Sequence, residues 1–313
     1  NKLSVVIIQM EENIESLIPL FKNEQFAFNF AIQNHLLYQC LYCDRCNSKM
    51  YIVTDNSKKF CIKWFCFNCK RTQSILYGSV FYGAKLSISK VFYLIYCWLH
   101  ELQCCETAHE VGVHINTVTY YFTLFRNACD SYVISSNVSQ IGGPGKTVQI
   151  DETLICRRKY NVGRMLNQVW VFGGVCIDDK NFFCIVIPNR KIDVLEKEIR
   201  NYILPGTTIV SDCWKAYKFL DECDGYEHLS VNHSKNFINP DNYANTQTIE
   251  RMWLELKQIN KKYRGIPRSK INEHISEFIW RYNILDKSRN KFQAALELIA
   301  NTQFLKVEDV EEI

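Results

Sequence analysis

The sequence predicts a multidomain chain in which a cysteine-knuckled segment and a helical segment precede an α/β domain. Three observations carry this. Six of the fifteen cysteines crowd between Cys40 and Cys69. The stretch from about residue 86 to 134 has helical periodicity. Beyond a Ser-, Gly- and Pro-rich stretch, Ser135 to Lys146, three apolar runs follow one another with the two-residue period of strands.

Taken in order, residues 1–37 hold two apolar-periodic helices, around Ile14–Phe21 and Phe26–Leu37. Residues 38–80 form a cysteine-rich ribbon with strand-like aromatic pieces, 81–134 a helical domain, and 135–147 a linker. Residues 148–285 form the α/β domain, and 286–313 a C-terminal helix and acidic tail. Within the α/β domain, Val148–Ile155, Val169–Ile177 and Phe182–Ile187 read as strands and Lys191–Ile203 as an amphipathic helix closed by Pro205-Gly206. Thr208–Val210 is a short strand, Trp214–Cys223 a helix, His228–Val231 a strand, and Thr246–Lys262 a long helix. The order β-β-β-α-β-α-β-α is that of the ribonuclease H-like fold.

At 313 residues the chain has room for two or three domains, and 47% hydrophobic with 22% charged residues reads as a globular protein. The longest strongly apolar run, Val91–Leu99, is far short of a membrane span. Asn1–Met10 lacks the basic flank and cleavage pattern of a secretory signal, and because the chain does not begin with Met its true start is expected to be missing or processed. The net charge is only +4, but from Arg251 to Lys270 seven basic residues face one acid, Glu255. That run, with Lys257, Lys261, Lys262 and Arg264 at its centre, is either a solvated face or a phosphate-contacting surface.

An odd number of cysteines spread through apolar segments argues against a disulfide framework, and Cys97, Cys129, Cys176, Cys184 and Cys213 read as small buried hydrophobes. The early cluster differs. Cys43-x2-Cys46 and Cys66-x2-Cys69, nineteen residues apart, have zinc-ribbon spacing, each pair on a tight turn that aims two thiolates at one structural zinc. Cys40 or Cys61 could replace one ligand. In the helical segment, Ser89–Leu102, Glu106–Val111, a turn at Gly112 and a third helix capped by Asn116 and running to about Asp130 fit helix-turn-helix. Asn116, Thr117, Thr119, Tyr120 and Thr123 then lie where base edges are read. A plain helical hairpin is the alternative, since few basic residues lie there.

Three acids stand out in the α/β domain. Asp151 interrupts an apolar strand, Asp212 ends one, and Glu250 sits in the first turn of the last long helix. A charge inside an apolar strand is costly without a partner. A strand-borne Asp, a strand-end Asp and a helix-borne Glu together supply the hard oxygens that two divalent ions need. Each has a plainer reading: an Arg partner for Asp151, a helix cap for Asp212, and dipole complementarity for Glu250. Glu152 rivals Asp151, but strand alternation puts the two on opposite faces. Asp178 and Asp179 read as a hairpin turn and Asp193 as a helix cap.

The chain also resembles the Merlin superfamily of cut-and-paste DNA transposases and their bacterial ISXO2-like insertion-sequence relatives. The resemblance rests on residues 142–170, on Leu204–Tyr217, on Gly225–His228 and Val231–Ser234, on Thr248-Ile249-Glu250, and upstream on Trp64–Cys69 and Gly78–Phe81. It covers about residues 40–282. It implies a DDE triad of Asp151, Asp212 and Glu250 and two Mg²⁺ or Mn²⁺ ions per site. It also implies transposon terminal inverted repeats and target DNA as substrates, end-binding by the zinc and helical region, and a homo-oligomer of at least two chains. One departure is that relatives commonly read His-Thr-Asn-Thr where this chain has Asn245-Thr246-Gln247-Thr248. Arg157, Arg158, Lys159 and Arg164, with the later basic run, are expected on backbone phosphates. His228 and His233 either line the site or are satisfied structural histidines. The expected activity is cleavage of transposon ends and joining of the 3′-OH to target DNA, in the nucleus of a eukaryote or the cytoplasm and nucleoid of a bacterium. The alternatives are a transposase-derived DNA-binding protein with reduced or lost catalysis, and an RNA-cleaving ribonuclease H-like enzyme.

Overall fold

The computed structural model describes residues 13–83, 85–135, 140–155, 168–231 and 245–302. The chain divides into two compact units, one made of Asn1–Ala128 and Ser288–Ile313, the other of Cys129–Lys287. Among the described residues no helix is long and apolar enough to cross a membrane.

In the first unit, α1 (Ile14–Lys22) and α2 (Glu24–Gln33) start where Asn13 and Asn23 turn their side chains onto Ser16 N and Phe26 N. The strands β1 (Tyr51–Thr54), β2 (Ile62–Phe65) and β3 (Thr72–Gln73) form a small antiparallel sheet. The centre of the unit is α3 (Ile88–Leu99), nine of whose twelve residues are buried. Its N-terminus is held by α2, whose Glu24 carboxylate accepts from Ile88 N and Ser89 N at 3.0 Å each. The last helix of the chain, α9 (Lys291–Ala300), packs on α3 through Phe292 and Phe92, 6.5 Å apart. α4 (Cys104–Val111) ends at Gly112, which adopts φ 64° and turns the chain into α5 (Ile115–Ser135). Asn116 does not cap α5. The helix begins one residue earlier, the Asn116 N–H donates to His114 Nδ1, and regular structure continues five residues past Asp130.

The second unit is built on a five-stranded sheet of β5 (Thr147–Leu154), β6 (Trp170–Cys176), β7 (Phe182–Ile187), β9 (Thr207–Asp212) and β10 (Tyr226–Val231). Its order is β10-β9-β5-β6-β7, with β5, β6 and β7 antiparallel and β5, β9 and β10 parallel. This is the ribonuclease H-like arrangement. One face is covered by α6 (Ile192–Tyr202) and the 3-10 helix Lys215–Glu222, which pack Leu195, Ile199 and Tyr217 on Ile150 and Phe172. The other is covered by α7 (Gln247–Lys262) and α8 (Ile271–Trp280), which pack Trp253 and Phe278 on Val171 and Phe182. Burial on both faces explains why these strands read as nearly continuous apolar runs.

The stretch expected as a linker is in part structured. Ile141–Gly142 forms β4, paired in parallel with β8 (Ile203–Leu204), because Ile141 is buried and Thr207 Oγ1 accepts from Gly143 N at 2.7 Å. Gly142 has φ 85°, and a Cβ there would meet Thr207 Oγ1 at 2.4 Å, so only glycine fits this turn. Cys213 is exposed rather than buried, since it follows the end of β9, and Lys191 rather than Asp193 is the N-cap of α6.

Candidate active site

The central strand β5 distributes its side chains by alternation. Gln149, Asp151 and Thr153 point to the α7 face, while Ile150 and Glu152 point to the α6 face. Asp151 sits opposite Gly173 of β6. A Cβ on Gly173 would stand 2.7 Å from the Trp253 ring, so glycine leaves the room that the indole occupies. From there Trp253 Nε1 donates to Asp151 Oδ2 at 2.9 Å. Asp212 ends β9, and its Oδ1 accepts from Trp214 N at 3.0 Å. Glu250 lies in the first turn of α7, where Thr246 Oγ1 donates to Glu250 Oε1 at 2.9 Å.

The helix bearing Glu250 is tied directly to the strand bearing Asp151. Gln149, only 3% exposed, accepts from Thr248 N at 3.0 Å and Ile249 N at 3.2 Å through Oε1, and donates from Nε2 to Asn245 Oδ1 at 3.1 Å. A strand side chain thus caps a helix N-terminus, satisfying N–H groups that the helix leaves open. Asn245 is one of its partners.

Electrostatics bind the three acids together. Burial pushes the Asp151 carboxyl up to about 6, with the charges of Asp212 and Glu250 adding to it and the Trp253 bond opposing it. On the other face, burial pushes Glu152 up to about 7 despite a 2.6 Å hydrogen bond from Tyr217 Oη, and it too feels Asp151 and Asp212. Asp151, Asp212 and Glu250 therefore share one electrostatic neighbourhood, and Glu152 reaches it from behind the strand. Among the described residues, the thiols of Cys43, Cys46, Cys66 and Cys69 alone bring three or more ligand atoms within 4.8 Å of one another. The carboxylates do not draw that close.

The thiol cluster fits a tetrahedral zinc. Cys43 Sγ lies 3.4 Å from Cys69 Sγ, and Cys46 Sγ 3.5 Å from Cys66 Sγ, near the edge of about 3.8 Å that Zn–S bonds of ~2.3 Å require. The knuckles are built alike. Asn47 N donates to Cys43 O and Lys70 N to Cys66 O, and both Asn47 and Lys70 take left-handed φ, 52° and 62°. Hydrogen bonds from Ser48 hold the Cys46 thiol down at about 6, favouring the thiolate that zinc binds. Cys40 and Cys61 are exposed and outside the cluster.

Other expected residues are placed as follows. Asn116, Thr119 and Tyr120 are exposed on α5, with Thr117 half-buried beside buried Val118. Lys257 is half-buried on α7, and Lys261, Lys262 and Arg264 are exposed at its end. His228 accounts for both ring nitrogens, meeting Ser211 Oγ at 2.9 Å and Asp221 Oδ1 at 2.6 Å, and its register opposite Ile209 sets it three residues below Asp212. Arg157, Arg158, Lys159, Arg164 and His233 lie outside the described residues. Sequence reasoning missed Gln149, Thr246 and Trp253. The one signal for Gln149 was a polar residue between the apolar Val148 and Ile150, two before Asp151.

Residues 142–283 match the ISXO2-like transposase domain. A transposase-like protein of Haemophilus influenzae is 30% identical over 101 residues, which span 32% of this chain and 80% of that protein. The chain belongs to the transposase-like proteins. Solved structures similar to this transposase include the catalytic core domain of BIV integrase, at 17% identity over 48% of this chain and 93% of that one, TM-score 0.31. Another is the HTLV-2 integrase catalytic core domain in complex with magnesium, at 12% identity over 51% and 97%, TM-score 0.30. With superpositions this loose, the fold of the transposase rests on its own strand order.

Proposed function

We propose that this transposase is a cut-and-paste enzyme of Merlin kinship. It binds the terminal inverted repeats of a transposon, cleaves the ends, and joins the freed 3′-OH to target DNA. The observation that carries this reading is the electrostatic convergence of Asp151 within β5, Asp212 at the end of β9 and Glu250 at the start of α7. The donor set is hard oxygen, and an acid pushed up to about 6 chiefly by burial, with the charges of two other acids adding to it, is a group that divalent cations would relieve. Asp151, Asp212 and Glu250 would hold Mg²⁺ or Mn²⁺, which when bound supply Lewis-acid activation of the attacking oxygen and charge neutralisation at the leaving one.

The chain's own groups set the ligand orientations. Trp253 fixes Asp151, Thr246 fixes Glu250, and the Trp214 amide fixes Asp212. Gln149 keeps the helix bearing Glu250 in register with the strand bearing Asp151. For DNA recognition we assign α4, the Gly112 turn and α5 as a helix-turn-helix, with Asn116, Thr119 and Tyr120 on its open face. The zinc knuckles would stabilise a segment with little core of its own. Lys261, Lys262 and Arg264, with Arg157, Arg158, Lys159 and Arg164, would hold backbone phosphates, and pairing two ends calls for at least two chains.

The test is cleavage of a labelled duplex carrying the element's terminal repeat, with Mg²⁺ or Mn²⁺. Asp212→Asn should bind the duplex like the parent and lose cleavage entirely. Parental cleavage by that variant overturns the assignment.

A further inference from the structure

Beside the carboxylates, on the α6 side of the sheet, Arg190 is held between two indoles. Its guanidinium carbon stands 3.9 Å from the ring centre of Trp170 and 4.9 Å from that of Trp214. The three residues come from separate places: Trp170 opens β6, Arg190 follows β7, and Trp214 follows β9. Trp214 is also the residue whose amide donates to Asp212, so the outer wall of the clamp is fixed two residues from a candidate ligand. The guanidinium is near enough to Glu152 to pull that carboxyl down.

Two properties of this clamp are those of a ligand-binding group. First, among the described residues no acceptor meets the N–H groups of Arg190, although stacking leaves its donor edge pointing sideways out of the sandwich. Second, Trp214 is 43% exposed, so the clamp opens to solvent at the carboxylate end of the sheet. A flat guanidinium with fixed orientation has already lost the rotamer freedom that a surface arginine would lose on binding. Its fork matches the two non-bridging oxygens of a phosphodiester. The site also needs such a cation: Asp151, Glu152, Asp212 and Glu250 repel a polyanion, and the basic groups expected to receive phosphates elsewhere lie on other segments.

From this we propose that Arg190, clamped by Trp170 and Trp214, grips a backbone phosphate of the DNA strand lying at the carboxylates. The proposal rests on the reading of those carboxylates as the catalytic site and adds a substrate contact to it. With the indoles on the faces of the guanidinium no base can stack on Arg190, and its edge is assigned to a phosphate, the acceptor that the neutral methylphosphonate series tests.

The experiment uses the full chain and a duplex carrying the terminal repeat, with binding measured against salt in Ca²⁺ and cleavage measured separately in Mg²⁺. Releasing one phosphate contact lowers the slope of log K against log salt by about 0.9. Arg190→Gln, which keeps a planar group between the indoles, should lower the slope by about one contact and slow single-turnover cleavage at least tenfold. Arg190→Lys should keep the slope and still slow cleavage, since an ammonium lacks the fork. Replacing backbone phosphates one at a time by neutral methylphosphonate should reveal one position that weakens the parent and leaves Arg190→Gln unaffected. An unchanged salt slope in Arg190→Gln, or a methylphosphonate profile identical to the parent's, overturns the proposal. Loss of cleavage in Asp212→Asn alongside either result leaves the catalytic reading standing. Because the slope and the methylphosphonate profile are read from binding alone, they decide the role of Arg190 even if the parent cleaves nothing.

Discussion

Replacing Gln149 by Leu tests the coupling between strand and helix most directly. Leucine nearly conserves volume and removes only the amide. The change orphans Ile249 N, which lies in a residue 0% exposed, and Thr248 N, which is half-buried, and it removes the donor to Asn245. A buried N–H without an acceptor costs about 1–3 kcal/mol, and solvent can recover part of this only for Thr248. The expected loss is therefore about 3 kcal/mol. For a unit of this size that lowers Tm by roughly 6–12 °C, at about 2–4 °C per kcal/mol. Thermal and urea unfolding followed by far-UV circular dichroism give both numbers. Gln149→Glu keeps the acceptor oxygen at a helix N-terminus, where negative charge is favoured, and should lose less than half as much. A Gln149→Leu protein within 0.5 kcal/mol of the parent would refute the idea that this amide holds the helix.

Other outcomes follow from the same structure. Purified protein should carry one zinc per chain by metal analysis, and Cys66→Ser should abolish it, whereas Cys61→Ser should leave it in place. Gly173→Ala should destabilise by about 1–3 kcal/mol, because its Cβ would sit 2.6 Å from the backbone oxygen of Phe183, which cannot yield, and denaturant midpoints measure this. Asp151 and Glu152 have folded values near 6 and 7 against ordinary values of 3.8 and 4.5, so between about pH 4 and 7 the folded state binds more protons than the unfolded one. Stability of the metal-free protein should then fall by a few kcal/mol as pH rises through that window, and level off above it. The double variant Asp151→Asn, Glu152→Gln should show a flat profile there, and an equally steep decline would contradict the assignment.

The elements that were legible in the sequence are those whose burial leaves a period. Phe182–Ile187 is apolar on both faces and its bounds match the strand, and α7 carries Ile249, Met252, Trp253 and Leu256 on one stripe. Asp151 and Asp212 were conspicuous because an Asp inside or at the end of an apolar run is expensive, and Glu250 because it stands in the first turn of the last long helix. What escaped was set by tertiary partners. Gly and Pro at 142–145 look like a linker until Thr207 is known to receive Gly143. Asn116 looks like a cap until His114 takes that place. Trp253 looks like one more core residue, because nothing local reveals that its N–H meets Asp151 across 102 positions of chain. Arg190 and Lys191 read as an ordinary basic pair between apolar runs, and only the fold brings two indoles to Arg190.

The packing of α9 on α3 has a consequence for the order in which the protein is made. A helix from the far end of the chain completes the core around Phe92, so the unit that is synthesised first is finished last. During translation the sheet of the middle unit has all its strands outside the ribosome while its predecessor still lacks a wall. A nascent chain arrested before Lys291 would leave open the surface of α3 that Phe292 covers in the finished molecule.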